Sequence, residues 1–154
     1  MADVSQILLA EDSANDVELT LAALESDGLA SHIVTVHDGE EALDYLFRRG
    51  AFAGRTDELP RAILLDIKMP KLDGLEVLRQ IRGDVRLKWV PVVMLTSSRV
   101  EGDVRRSYEL GANAYVVKPV DFNEYAQALR CLGYFWGIAN EPPPASLAES
   151  GPGA

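Results

Sequence analysis

Cysteine, histidine, positive charge and long apolar runs are all scarce in this chain. A single cysteine, Cys131, excludes an internal disulfide and fits a reducing, cytoplasmic setting. The two histidines, His32 and His37, have no partners at a zinc-ligand spacing and read as solvated or structural residues. No apolar stretch is long enough to cross a bilayer, and no basic-then-apolar segment marks a secretory signal. The 15 Lys and Arg face 24 Asp and Glu, a net charge of −9. That balance repels nucleic acid and anionic lipid, and no dense basic run offsets it. A glycine-rich phosphate loop is missing after the first apolar run. Glu11-Asp12-Ser13-Ala14 stands there instead, which weighs against a nucleotide- or flavin-binding domain.

What is present is a regular alternation. The 154 residues, 47% of them apolar, suffice for one domain with a real core. Five short apolar runs begin near residues 7, 33, 62, 92 and 114. Each is followed by a box of the form Asn/Asp/Ser-x-x-Glu: Asn15 to Glu18, Asp38 to Glu41, Asp73 to Glu76, Ser98 to Glu101 and Asp121 to Glu124. In such a box the first side chain accepts from an orphan amide at a helix start. Five strand-like runs, each with a helix start behind it, predict five β-α units. Helical spacing agrees, with Val17, Leu21 and Leu24 on one face and Leu75, Leu78 and Ile81 on another. Gly28 and Gly111 stand where helices should stop, and Pro91 can open a strand. The runs are apolar throughout, as in strands covered on both faces. The expected fold is α/β, a doubly wound five-stranded parallel sheet flanked by five helices. Residues 1–140 form the expected domain. Residues 141–154, rich in Pro, Gly, Ser and Ala, read as a disordered tail. Residues 48–61 read as a long solvated loop, with a partner contact as the alternative.

The polar residues that end the runs carry the chemistry. They are Glu11-Asp12, Asp66, Thr96-Ser97 and Lys118-Pro119. In a parallel sheet these ends meet at one edge, where ligands bind in open α/β folds. Three carboxylates at close range repel unless a cation joins them, and Mg2+ suits such oxygen ligands. Asp66 is placed as a nucleophile that forms an acyl phosphate, with Lys118 and Thr96 available to phosphoryl oxygens.

The set Glu11-Asp12, Asp66-x-x-Met69-Pro70, Thr96-Ser97 and Lys118-Pro119 resembles the receiver domains of two-component response regulators over residues 4–139. The resemblance implies that Asp66 is the phosphoacceptor, taking its phosphoryl group from a histidine of a sensor kinase. It implies the strand order 2-1-3-4-5 and a metal site of Glu11, Asp12, Asp66 and the backbone carbonyl of Lys68. It makes Thr96 and Tyr115 the switch pair, has Lys68 and Ser98 tune the phosphate lifetime, and places a cis bond before Pro119. Two alternatives stay open: a degenerate receiver that docks without phosphorylation, and an aspartyl-phosphate phosphotransferase. A phosphatase of the haloacid dehalogenase type needs a second Asp two residues after the nucleophile, where Lys68 stands.

No DNA-binding or catalytic effector is expected in the tail, so the output is the domain's own surface toward an unidentified downstream protein. Tyr125, Leu129, Leu132 and Trp136 form one apolar stripe on the last helix, beside Ala128, Cys131, Phe135 and Ala139. That is wider than one sheet face needs, and Leu132, Phe135 and Trp136 are the expected centre of a homodimer interface. Gly133 and Gly137 predict fraying there. The residues 11–20, the long loop and the aromatic helix end are similar to response regulators paired with bacterial phytochromes, which implies a light-regulated kinase as phosphodonor.

Overall fold

A computed structural model describes residues 6–55 and 58–149. Strands β1 (Ile7–Ala10), β2 (Ile33–Val36), β3 (Ala62–Leu65), β4 (Val92–Thr96) and β5 (Ala114–Val117) form a single parallel sheet in the order β2-β1-β3-β4-β5. Helices α1 (Ala14–Glu25), α2 (Gly39–Phe47), α3 (Gly74–Gly83), α4 (Glu101–Glu109) and α5 (Phe122–Tyr134) alternate with the strands. β1, β3 and β4 are buried along their whole length, the consequence of cover on both faces. Leu8, Ala10, Ile63, Leu65, Val92 and Met94 point into one core with α2 and α3 residues such as Leu46 and Leu78. Ile7, Leu9, Leu64 and Val93 point to the other face, against Val17, Leu132 and Trp136. This alternation along each strand makes two cores from one sheet.

Three of the five predicted boxes supply the helix cap through their first residue. Asp38, Asp73 and Asp121 accept from the amides of Glu41, Glu76 and Glu124 at 2.7, 2.9 and 2.9 Å. The other two do not. Ser13 caps α1 by accepting from Asp16 N, and Asn15 lies inside the helix. Ser13 competes for the same amides and is held by Glu11, whose Oε1 accepts from Ser13 N at 3.0 Å. α4 starts after Val100 without a side-chain cap, because Ser98 Oγ accepts from Val100 N and donates to Asp103 Oδ2. Gly28 and Gly111 do close helices, at φ of +70° and +102°.

Residues 50–52 of the long loop form a 3-10 turn, and the Arg55 guanidinium stacks 3.9 Å from the Tyr45 ring. At its far end Arg61 donates to the carbonyls of Trp136, Ile138 and Asn140. That clamp holds the end of α5, which does not fray at its glycines but continues as a π-helical turn over Phe135–Ala139. Gly133 is there for close approach: a Cβ would lie 2.1 Å from Leu24 Cδ2, so α1 and α5 pack closely only without one. Beyond Asn140 the chain turns under the sheet, and a sixth helix, α6 (Ala145–Glu149), is a departure from the expected five. Pro142, Pro143 and Pro144 line a cavity of about 450 Å³ with Arg48, Arg61 and Trp89. The last five residues of the expected tail lie outside the described residues. Every peptide bond among the described residues is trans, including the one before Pro119, where the resemblance implies cis.

Candidate functional site

The sheet's own ladder sets the site. Past the carboxyl ends of the strands, Glu11 N donates to Val36 O, Asp66 N to Ala10 O and Lys118 N to Thr96 O. These bonds hold Glu11, Asp66, Thr96 and Lys118 level at one edge, at the crevice where strand order reverses. Asp66 is followed by a loop that Gly74 closes. Gly74 N donates to Ile67 O at 2.7 Å, and a Cβ on Gly74 would meet Asp66 O at 2.0 Å.

Carboxylate oxygens of Glu11, Asp12 and Asp66 all lie within 4.8 Å of one another. Glu11 and Asp66 are buried and Asp12 is exposed, so the cluster opens to solvent on the Asp12 side. The Lys118 ammonium sits against it, donating to Glu11 Oε2 at 2.5 Å, Asp16 Oδ2 at 2.9 Å and Asp66 Oδ2 at 3.0 Å. Burial pushes the Glu11 carboxyl up to about 7, against the hydrogen bonds from Lys118 and Ser13 that work the other way. Burial also disfavours the Lys118 charge, but its bonds to Glu11 and Asp16 outweigh that and hold the amine above its ordinary range. A divalent cation fits this donor set: hard oxygen ligands, excess negative charge and an open side for water or phosphate.

Thr96 is buried, and its Oγ1 accepts from Ser98 N at 3.3 Å. Tyr115 is half-buried against the core, and its hydroxyl donates to Ser98 O at 2.9 Å. Burial raises the Tyr115 hydroxyl above its usual range. Thr96, Ser98 and Tyr115 thus meet on one loop. Lys68 is exposed on the loop after Asp66.

Of the three residues expected in a dimer interface, Leu132 and Trp136 are half-buried on the sheet face, beside Ile7 and Leu9. Phe135 is 49% exposed, with Tyr134 and Ile138 exposed beside it. Three participants were not foreseen from sequence. Asp16 reads as an ordinary acid favouring a helix start, yet it holds Lys118. Asp103 reads likewise, yet it takes the Ser98 hydroxyl. Tyr125 is buried with its hydroxyl unpaired, close enough to feel the charges of Lys118, Asp16, Glu11 and Asp66. No spacing rule links these residues to the site; only the packing of α1 and α5 across one sheet face brings Asp16 and Tyr125 to it.

Known proteins resemble this chain in sequence and fold. Residues 7–130 match the response regulator receiver domain. The probable methanogenesis regulatory protein FilR2 of Methanothrix harundinacea is 41% identical over 140 residues, 90% of this chain and 88% of that protein. Among solved structures, the phosphorylated cyanobacterial phytochrome response regulator RcpA superposes with a TM-score of 0.85 at 37% identity, covering 92% of this chain and all of that one. The Mn2+-bound response regulator Rcp1 gives 0.83 at 34% identity, over 91% of this chain and 99% of that one. The bacteriophytochrome response regulator RtBRR gives 0.72 at 54% identity, over 94% of this chain and 87% of that one. With the family's domain matched across most of its length, this chain belongs to the response regulator receiver family, the signalling modules of two-component phosphorelays.

Proposed function

We propose that Asp66 is the phosphoacceptor and that a sensor histidine kinase is the donor. Asp66 Oδ attacks the phosphorus, the donor's P–N bond breaks, and the imidazole leaves with the electron pair and takes up a proton. An Oδ–P bond to Asp66 results. The observation that carries this reading is the Lys118 amine 3.0 Å from a buried Asp66 oxygen, at the rim of the three-carboxylate cluster. Lys118 and the Thr96 hydroxyl then bind phosphoryl oxygens. Glu11, Asp12, Asp66 and the Lys68 carbonyl would hold Mg2+, which when bound supplies positive charge against the phosphoryl group. Lys68 and Ser98 flank the acyl phosphate and set its lifetime through the access they leave to water.

The surface responds through the loop after β4. Drawing Thr96 toward the phosphoryl group moves the Ser98 amide that its hydroxyl now accepts from, and with it the carbonyl that holds Tyr115. Tyr115 then turns inward, and the α4–β5–α5 face changes shape for a downstream protein. The likeness to RcpA and RtBRR supports a phytochrome kinase as the donor, and exposed Val120 and Phe122 beside Lys118 give that kinase apolar contacts. Exposed Tyr134, Phe135 and Ile138 support a homodimer through the end of α5. A Phe135→Ser chain that sediments like wild type refutes that dimer.

The central test is incubation with acetyl phosphate, with and without Mg2+, followed by intact mass measurement. Wild type should gain one labile phosphoryl group only with the metal, and Asp66→Asn should gain none. Equal phosphorylation of Asp66→Asn would end the proposal.

A further inference from the structure

Lys118 is bound by three acids, but the cation cluster uses only two of them, Glu11 and Asp66. The third, Asp16, stands outside that cluster and is the most exposed of Lys118's partners, at 29% of its side chain against 3% and 9%. The Asp16 backbone is also held. Its amide donates to the Ser13 cap, and its carbonyl accepts from Thr20 Oγ1 at 2.7 Å. The backbone that carries this carboxylate therefore stays in place beside Lys118 when an anion approaches. Glu11, Asp16 and Asp66 place three carboxyl groups around one ammonium, with Asp12 beside Glu11 and Asp66 in the cation cluster.

We propose that Asp16 is a positioning residue that holds the Lys118 amine on the open side of the pocket and opposes the entry of anionic phosphodonors. The inference rests on Asp66 being the phosphoacceptor. A phosphoryl oxygen and Asp16 compete for the same N–H donors of Lys118, which has three and no more. In the resting pocket all three are taken. When an acyl phosphate donor reacts, its P–O bond breaks, the carboxylate leaves with the electron pair, and the Oδ–P bond to Asp66 forms. Lys118 must release one partner to meet the new phosphoryl oxygen. Asp16 is the partner it gives up, since Glu11 is deeper and shorter-bonded and Asp66 is the reacting group itself. The Asp16 charge then faces the phosphoryl group with less of the ammonium between them. A donor delivered by a docked kinase meets this repulsion with binding energy to offset it, whereas a free metabolite does not. Asp16 thus favours the kinase over small acyl phosphates.

The test compares the full chain as wild type, Asp16→Asn, Asp16→Glu and Glu18→Gln. Glu18 lies on the same helix, exposed, and has no bond to Lys118. Rates of Asp66 phosphorylation are read by intact mass with Mg2+, using dianionic acetyl phosphate and monoanionic phosphoramidate. Asp16→Asn should react about three- to tenfold faster with acetyl phosphate, the scale of one partly screened charge. The gain should be smaller with phosphoramidate and shrink with added salt. Asp16→Glu should restore the slow rate, and Glu18→Gln should behave as wild type. A purely structural role for Asp16 would not distinguish donors by charge. An unchanged or slower Asp16→Asn, an equal gain with both donors, or the same gain in Glu18→Gln would each overturn the inference. A wild type that takes no phosphoryl group from either donor would overturn the phosphoacceptor reading and this inference with it.

Discussion

Magnesium affinity should depend on pH through Glu11. Its carboxyl is raised from an ordinary 4.5 to about 7 because burial penalises the charged form. A metal ligand must be deprotonated, so the cation competes with that proton. At pH ~6 roughly one Glu11 in eleven is ionised, and at pH ~8 roughly ten in eleven, so apparent affinity should rise about tenfold between them. Isothermal titration with Mg2+ or Mn2+ at the two pH values measures this. Repeating it in buffers of different ionisation heat should show release of close to one proton at the lower pH and little at the higher. Affinities equal within about twofold would refute the reasoning, because Glu11 would then be ionised throughout.

The same shift links pH to stability, and the sign follows from which state holds the proton more tightly. The folded carboxyl binds a proton more tightly than the unfolded one. Stability from this group is complete below about 4.5, and it is lost as pH rises through about 7. The shift corresponds to about 3 kcal/mol at most. Lys118 adds no slope in this window, because its folded value lies above its unfolded one and its contribution fades only in strong alkali. Denaturant unfolding in EDTA should therefore show stability falling from pH ~5 to ~8. Saturating Mg2+ should flatten or reverse the fall by binding only the ionised folded form.

Three substitutions probe the frame. Arg61→Ala removes donors to three carbonyls at the end of α5 and should cost about 1–3 kcal/mol, with faster proteolysis near Asn140. Gly74→Ala forces a methyl against the Asp66 carbonyl, so it should destabilise by about 2–4 kcal/mol and slow phosphorylation of Asp66, read by unfolding and by intact mass. Tyr125→Phe deletes a buried hydroxyl that has no partner, and denaturant unfolding should find it neutral or up to about 1 kcal/mol more stable. A clear loss of stability there would mean that the hydroxyl is paired in solution.

Strand positions were legible in the sequence because a parallel strand covered on both faces is an unbroken apolar run, and its end is the first polar residue; the sheet order came from the family resemblance, since no run states which neighbour it pairs with. For the same reason Glu11, Asp66, Thr96 and Lys118 could be named before any coordinates: the ladder that buries the runs also aligns their ends. Capping was legible where one candidate acid preceded the helix, as at Asp38, Asp73 and Asp121. It failed where a nearer hydroxyl competed, at Ser13, or where an acid in the helix's own first turn, Asp103, captured the candidate cap Ser98. Width of an apolar sector on α5 did not reveal that Leu132 and Trp136 belong to the sheet-facing core, because periodicity gives a helix face and not what lies opposite. Asp16 was illegible for a different reason. An acid in a first turn already has a local explanation in the helix dipole, and its second task depends on a lysine more than a hundred residues away.

The hydrogen bonds also divide the site into what is fixed and what can move. Lys118 N–H to Thr96 O, Asp66 N–H to Ala10 O and Glu11 N–H to Val36 O belong to the sheet, so shifting any of these backbones breaks a buried ladder. The Thr96 side chain, the Ser98 peptide and the Tyr115 hydroxyl are joined instead by single bonds of 3.3 and 2.9 Å in a loop without a capped helix behind it. A phosphoryl group at Asp66 therefore has a rigid floor and one compliant wall. Thr96 Oγ1 has a lone-pair bond to give up and a proton to donate, so a phosphoryl oxygen can recruit it without displacing β4. The loop that loses this bond is the one that holds Tyr115, and the next element along the chain is α4, whose start rests on backbone bonds to Val100 and on Asp103's hold on Ser98. Directionality of the proposed switch thus follows from the two bonds that lead from Thr96 through Ser98 to Tyr115 and so toward α4; on the α1 side Lys118 releases its most exposed partner, Asp16, and stays tied to the core through buried Glu11.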